Sequence, residues 1–271
     1  MIIDAHVHAY TKERINELLL SMKKNKIEKS IILYWPGVAK NRPQPKPFFQ
    51  SPPFKDVLER IKKYKNLFLA GSIRITDTET FDDYFKELEN AIVNKNIVAV
   101  KLYLGYEHFF ANDSRCDKIY ELCLKYKIPV IFHTGDTYSI KDALVRFANP
   151  IYLDDVAVKF PNLKIVIAHL GNPIWIKETT EVIYKNKNVF ADISGTLSLS
   201  RRFEKEENNN LKEEILKLVY YIGSPRKLIF GSDFPLYRQE QYIEFLDDFQ
   251  VFSKLDMDYI KYKNAEKIFR I

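Results

Sequence analysis

Short runs rich in Ile, Val, Leu and Phe alternate along the chain with longer segments whose apolar residues recur every three or four positions. This alternation predicts βα units around a parallel sheet. Eight apolar runs stand out: Ile2–His8, Ser30–Trp35, Leu67–Ile75, Ile97–Leu104, Pro129–His133, Leu163–His169, Val189–Ser194 and Lys227–Ser232. Their near-continuous apolar character fits strands covered on both faces. Between and after them lie helical segments at Lys12–Asn25, Phe54–Lys65, Thr80–Lys95, Ser114–Lys127, Ile151–Phe160, Ile174–Lys185, Leu211–Ile222 and Gln239–Phe252.

Eight strands each followed by a helix predict an α/β fold, a (β/α)8 TIM barrel, formed as a single domain over residues 1–271. A doubly wound open sheet is the structural alternative. It loses ground because no GxGxxG turn follows the first strand and the chain holds only eight glycines. The length of 271 residues suits a barrel, which takes about 250. Two loops on the strand-to-helix side are notable. Six of the twelve prolines fall in 36–53, which reads as a stiff surface loop or as a lid carrying Phe48 and Phe49. The charged stretch Arg201–Asn210 reads as a solvated, mobile connection.

Composition narrows the class. With 46% hydrophobic and 29% charged residues the chain is an ordinary globular protein, which excludes disordered and disulfide-scaffold readings. A net charge of +6 spread over mixed-sign segments argues against a nucleic-acid face. Cys116 and Cys123 lie seven apart in a helical segment, about 10.5 Å along its axis. That exceeds the reach of a disulfide, so both thiols are expected free. No membrane-length apolar run and no signal peptide is recognised, and a cytoplasmic location with reduced thiols is the expectation.

Four of the five histidines, His6, His8, His133 and His169, fall in or at the end of predicted strands. His6 and His8 are at i and i+2, so on a strand both point to one side, about 6.6 Å apart. A lone histidine is more often a satisfied polar residue; a His-x-His pair joined by two more strand-terminal histidines points to a metal. Asp233, just past the eighth run in Gly231-Ser232-Asp233, adds a carboxylate. Such a donor set suits zinc, with manganese, iron or cobalt as alternatives. The ion would lower the pKa of bound water toward about 7, Asp233 would shuttle its proton, and His169 would either bind a second ion or donate to an oxyanion.

Asp4-Ala-His6-Val-His8, Val100-Lys101-Leu-Tyr103, Pro129-Val-Ile-Phe-His133-Thr-Gly, Ala168-His169-Leu-Gly-Asn-Pro, Gly231-Ser-Asp233-Phe-Pro and Asn264-Ala-Glu-Lys-Ile-Phe269 follow one another nearly end to end. In this ordered set the chain resembles the amidohydrolase superfamily, and within it the amidohydrolase 2 type of metal-dependent barrel hydrolases. The resemblance implies that His6, His8, His133 and Asp233 hold the first metal, with His169 a ligand of a second metal or a catalytic group. In two-metal members a lysine ending the fourth strand is carboxylated and bridges both ions; Lys101 holds that place here, and it could equally pair with Asp233 or with a substrate carboxylate. Arg74 and Tyr103 are candidate substrate contacts, Arg74 as a bidentate clamp on an acid or as half of a structural ion pair.

The function expected is hydrolysis of a C–N or C–O bond (amide, lactone or ester) of a small molecule through metal-activated water, with acidic and aromatic molecules as the candidates. Similar proteins include metal-dependent non-oxidative decarboxylases of aromatic or unsaturated acids, so a lyase is the alternative. A deoxyribonuclease of the superfamily is disfavoured by Lys101, where those enzymes present a glutamate. A non-catalytic metal-binding barrel is disfavoured by the complete set of ligand positions. A homodimer is the assembly considered, with neither nucleic acid nor membrane as partner.

Overall fold

The computed structural model describes residues 1–37, 51–137, 141–200 and 202–271. The proposed lid residues Phe48 and Phe49 lie outside the described residues. Eight strands alternate with helices: β1 (Ile3–Val7), α1 (Lys12–Asn25), β2 (Lys29–Leu33), α2 (Phe54–Ile61), β3 (Leu67–Ser72), α3 (Phe81–Val93), β4 (Ala99–Leu102), α4 (Asp117–Tyr126), β5 (Val130–Phe132), α5 (Tyr152–Lys159), β6 (Ile165–Ile167), α6 (Ile176–Lys185), β7 (Val189–Asp192), α7 (Glu204–Ile222), β8 (Leu228–Ile229) and α8 (Gln239–Asp247). The strands are parallel and adjacent in chain order. Backbone hydrogen bonds from Ala5 to Phe230, Asp233 to His6 and His8 to Phe234 join the first strand to the last, so the sheet curls into a nearly closed (β/α)8 barrel.

Two apolar layers hold it. Inward-facing residues such as Ile3, Ile31, Ala99, Ile131, Val166 and Phe190 fill the barrel, small next to large as a closed sheet requires. Outward-facing residues of the same strands, among them Ile32, Val100, Leu102 and Ile165, pack against the helix ring. The chain ends in α9 (Lys254–Asp258), a π-helical turn (Tyr259–Lys263) and α10 (Asn264–Phe269). Ala265, Ile268 and Phe269 of α10 join the interior layer, and Asn264 donates to the Arg226 and Leu228 carbonyls. The closing segment therefore plugs the end of the barrel where β8 begins.

One reading of the sequence needs correction. The stretch taken as a mobile connection is largely helix, because α7 starts at Glu204 rather than Leu211. Three acidic residues in its first turn favour a helix N-terminus, and Asn208 accepts from the Ser198 backbone N–H. Cys116 and Cys123 are free and buried, as their spacing requires. Among the described residues no helix is long and apolar enough to cross a membrane.

Candidate metal centre

Strict alternation would send His6 and His8 outward. Ile3 and Ala5 belong to the interior layer, so the even-numbered residues that follow them belong outside. Between Asp4 and Val7, however, β1 advances three residues while β2 advances two, from Ser30 to Ile32. This β-bulge inserts one residue and turns both imidazoles inward. Val7 accordingly faces the helices.

Inside, His6 and His8 converge on one oxygen. His6 Nε2 lies 3.7 Å and His8 Nε2 3.3 Å from Asp233 Oδ1. Their opposite nitrogens are engaged: His6 Nδ1 with Asp192 Oδ2 at 2.9 Å, and His8 Nδ1 with the Leu33 carbonyl at 2.9 Å. A carboxylate or carbonyl oxygen only accepts, so each Nδ1 carries a proton, and in the neutral His6 ring Nε2 presents a lone pair. Asp233 and His169 are both held in left-handed backbone, φ 62° and 65°, which costs a non-glycine residue on the order of 1–2 kcal/mol. Such strain persists only where its surroundings enforce it.

The electrostatics match. Burial pushes His6 down to about 3 and also lowers His133 and His169, so the imidazoles are neutral, the form that ligates metals. Burial opposes ionisation of Asp233, but the His8 hydrogen bond and the interactions with His6 and His169 outweigh it and hold the carboxyl well below its usual range. Asp192 shows the same balance, with His6 as the counterweight. Lys101 is fully buried, and burial pushes its amine down to about 8 against the attraction of Asp192 and Asp233. Its Nζ has no hydrogen-bond partner, so the pairing with Asp233 read from the sequence is not formed. The Trp35 Nε1 is likewise buried without an acceptor, and both side chains lie against the Tyr103 ring.

The other expected site residues are placed differently. His133 stands beside the cluster, its ring 4.9 Å from that of His169, but its Nε2 donates to the Asp136 carbonyl at 2.7 Å. It enters neither group of three donor residues, His6/His8/Asp233 and His6/His169/Asp192, whose ligand atoms lie within 4.8 Å of one another. Arg74 pairs with Asp77 at 2.9 Å and borders a separate recess beside Tyr84 and Glu87. The Tyr103 hydroxyl donates to the Tyr34 carbonyl at 3.0 Å, a link between strand ends. Asp192, which the sequence reading did not single out, joins the cluster through His6. It stands at the end of the seventh run, the place where a barrel strand delivers site residues. From His133 and His169 a cleft of about 510 Å³ opens toward α7, walled by Asn172, Thr196, Ser198 and Leu211.

Three comparisons bear on this geometry. The model of the amidohydrolase family matches residues 3–271. Among curated proteins none matches the chain. Similar solved structures include an uncharacterized TIM-barrel protein from Bordetella bronchiseptica, with TM-score 0.74 and 18% identity, covering 99% of this chain and 98% of that one. A probable 2-pyrone-4,6-dicarboxylic acid hydrolase from Acinetobacter baumannii, with citric acid bound, gives TM-score 0.69 and 19% identity over 100% and 99% of the two chains. A dihydroxybenzoic acid decarboxylase from a Polaromonas species, with manganese and 2-nitroresorcinol bound, gives 0.68 and 14% over 99% and 96%. At these identities the structural matches establish the fold.

Proposed function

The chain belongs to the amidohydrolase family, and from that premise and the geometry of the site we propose that it is a divalent-metal-dependent hydrolase cleaving a C–N or C–O bond of a small carboxylic acid. The observation that carries this reading is the convergence of His6 Nε2 and His8 Nε2 on Asp233 Oδ1, with both opposite nitrogens already engaged.

The donor set fits the implied ion. Two imidazoles and an ionised carboxylate suit zinc or manganese, and His6, His8 and Asp233 would hold it, with His169 and His133 alongside. Bound there, a divalent cation supplies Lewis acidity that polarises a substrate oxygen and acidifies water.

The protein's own groups supply the rest. Asp233 Oδ1 faces the two histidines, while Oδ2 faces Gly195 and is the atom that takes a proton from water and returns it to the leaving group. His169 donates its Nδ1 proton to the Ser194 carbonyl at 2.9 Å, so it presents a lone pair at Nε2 and serves as an acceptor. In this reading the neutral ring is not the oxyanion donor. Lys101 Nζ, a buried donor without an acceptor, anchors the substrate carboxylate. The cleft toward α7 takes the remainder of the molecule.

Non-oxidative decarboxylation is the second reading. It is favoured by the same Lys101: an amine held at about 8 is poised to donate a proton to carbon as well as to hold a carboxylate. Turnover of a panel of lactones, amides and aromatic acids in H₂¹⁸O separates the two. Label in the product means hydrolysis; carbon dioxide release with no label in the product means decarboxylation; no turnover of any panel member by zinc- or manganese-loaded protein would sink both.

A further inference from the structure

His6 and His169 come from strands on different sides of the barrel, yet both turn their Nδ1 atoms onto the same short segment, Asp192–Ser194. Asp192 Oδ2 accepts from His6 Nδ1 at 2.9 Å, and Asp192 Oδ1 accepts from the backbone N–H groups of His169 at 3.0 Å and Ser194 at 3.1 Å. The Ser194 carbonyl accepts from His169 Nδ1 at 2.9 Å. The Ser194 hydroxyl donates to Asp192 Oδ1 at 2.5 Å and lies 2.8 Å and 3.0 Å from the two Nδ1 atoms. Both carboxylate oxygens of Asp192 are thus used, one on a ring and one on the backbone that orients the other ring.

We propose that Asp192 is a positioning residue that fixes His6 and His169 together with their protons on Nδ1 and their lone pairs on Nε2. The second donor trio, His6/His169/Asp192, is then a hydrogen-bonded support and not a second cation site, and the centre takes one ion. The nitrogens that face Asp192 and Ser194 are the Nδ1 atoms, so a cation held there by His6 and His169 needs the two Nδ1 lone pairs, which exist only if both protons move to Nε2. That move breaks the bonds to Asp192 and the Ser194 carbonyl and removes the lone pair that His6 directs toward Asp233. One imidazole cannot serve both. An Nδ1–H held by a carboxylate also makes Nε2 more basic, as partners behind metal-ligating histidines do. This inference rests on the proposed function only in taking His6 as a ligand.

The test reads the tautomers directly. In ¹⁵N-labelled wild-type protein without metal, two-bond ¹H–¹⁵N correlations of the histidine rings are expected to show Nδ1–H at both His6 and His169. In Asp192→Asn, which offers one acceptor oxygen in place of two, His6 is expected to become a mixture of tautomers, and zinc affinity, measured by competition with a chromophoric chelator, to fall 10–100-fold with far-UV circular dichroism unchanged. Ser194→Ala keeps the carboxylate and is expected to retain both tautomers. Nε2–H at either histidine in the wild type overturns the proposal, and this readout needs no variant to fold. An unchanged tautomer and zinc affinity in Asp192→Asn overturns it as well. Two zinc ions in the wild type falling to one in Asp192→Asn would make Asp192 a ligand and overturn it too. If the wild type binds no zinc, the proposed function fails while the tautomers still decide the role of Asp192.

Discussion

A β-carbon added to Gly195 would stand 2.6 Å from His169 Nδ1 and 3.0 Å from Asp233 Oδ2, with the backbone at φ +64°. Only glycine fits there on both counts, close approach and left-handed conformation. Gly195→Ala is therefore expected to displace His169 or Asp233, lower kcat/KM at least tenfold and destabilise the fold by about 1–3 kcal/mol. Steady-state kinetics and urea unfolding check this. An active, equally stable alanine variant would show that the backbone relaxes away from the site.

Lys101 is a cation buried without a hydrogen-bond partner, and the fold bears the cost. Its folded value of about 8 lies below the ordinary 10.5, so the unfolded chain binds the proton more tightly between those values. The sign follows: the penalty is full below about pH 8 and is relieved as pH rises toward 10.5. Lys101→Met is expected to raise stability at pH 7 by roughly 1–3 kcal/mol while abolishing turnover, the trade expected of a residue kept for function. The gain should shrink between pH 8 and 10, measured by thermal unfolding. Native mass spectrometry should show an unmodified Lys101 and one metal; a 44 Da increment with two metals would instead establish the carboxylated bridge.

The strand order and seven of the eight paired helices are legible in the sequence because burial on both faces writes continuous apolar runs and helix packing writes a period near 3.6. The α7 start is hidden because its first turns are charged all round and mimic a loop. The terminal helix escapes for the opposite reason: it is short, and it earns its place by plugging the barrel rather than by an amphipathic stripe. His6, His8 and Asp233 are found through their strand-end positions, but the bulge that aims the histidines inward leaves no mark in single-residue periodicity. Asp192 is missed because an aspartate ending a strand reads as a turn residue until the ring it holds, 186 positions away, is seen beside it.

Glu107 is a second buried charge with a pH signature of opposite sense. Burial pushes its carboxyl up to about 7, against hydrogen bonds from the Thr76 N–H at 3.1 Å and hydroxyl at 2.9 Å. Raised above the ordinary 4.5, it favours the fold when protonated, and that contribution is lost as pH rises from about 4.5 through 7. Glu107→Gln keeps an acceptor for Thr76 without the charge. It is expected to match or fall below the wild type at pH 5 and to exceed it at pH 8 by about 1–2 kcal/mol. A constant difference across that range would mean that Glu107 titrates as an ordinary exposed carboxylate.

Metal content decides how the four histidines divide the work. His6 and His8 face Asp233, whereas His133 gives its Nε2 proton to the Asp136 carbonyl and would have to surrender that bond to join them through this atom. Protein purified without chelator is expected to carry about one equivalent of divalent metal per chain, set by one donor trio. His6→Ala and Asp233→Asn should lose it. His133→Ala should retain it at reduced affinity, because no donor of the trio is removed. Stability gives an independent readout: an ion at a hundredfold excess over its Kd adds about 2.7 kcal/mol to the folded state. At roughly 2–4 °C per kcal/mol for a domain of this size, a chelator should lower the wild-type midpoint by several degrees. The same chelator should leave His6→Ala unmoved. Equal loss of metal in all three variants would make His133 a full ligand, through Nδ1 with its bond to Asp136 kept or through Nε2 with that bond broken.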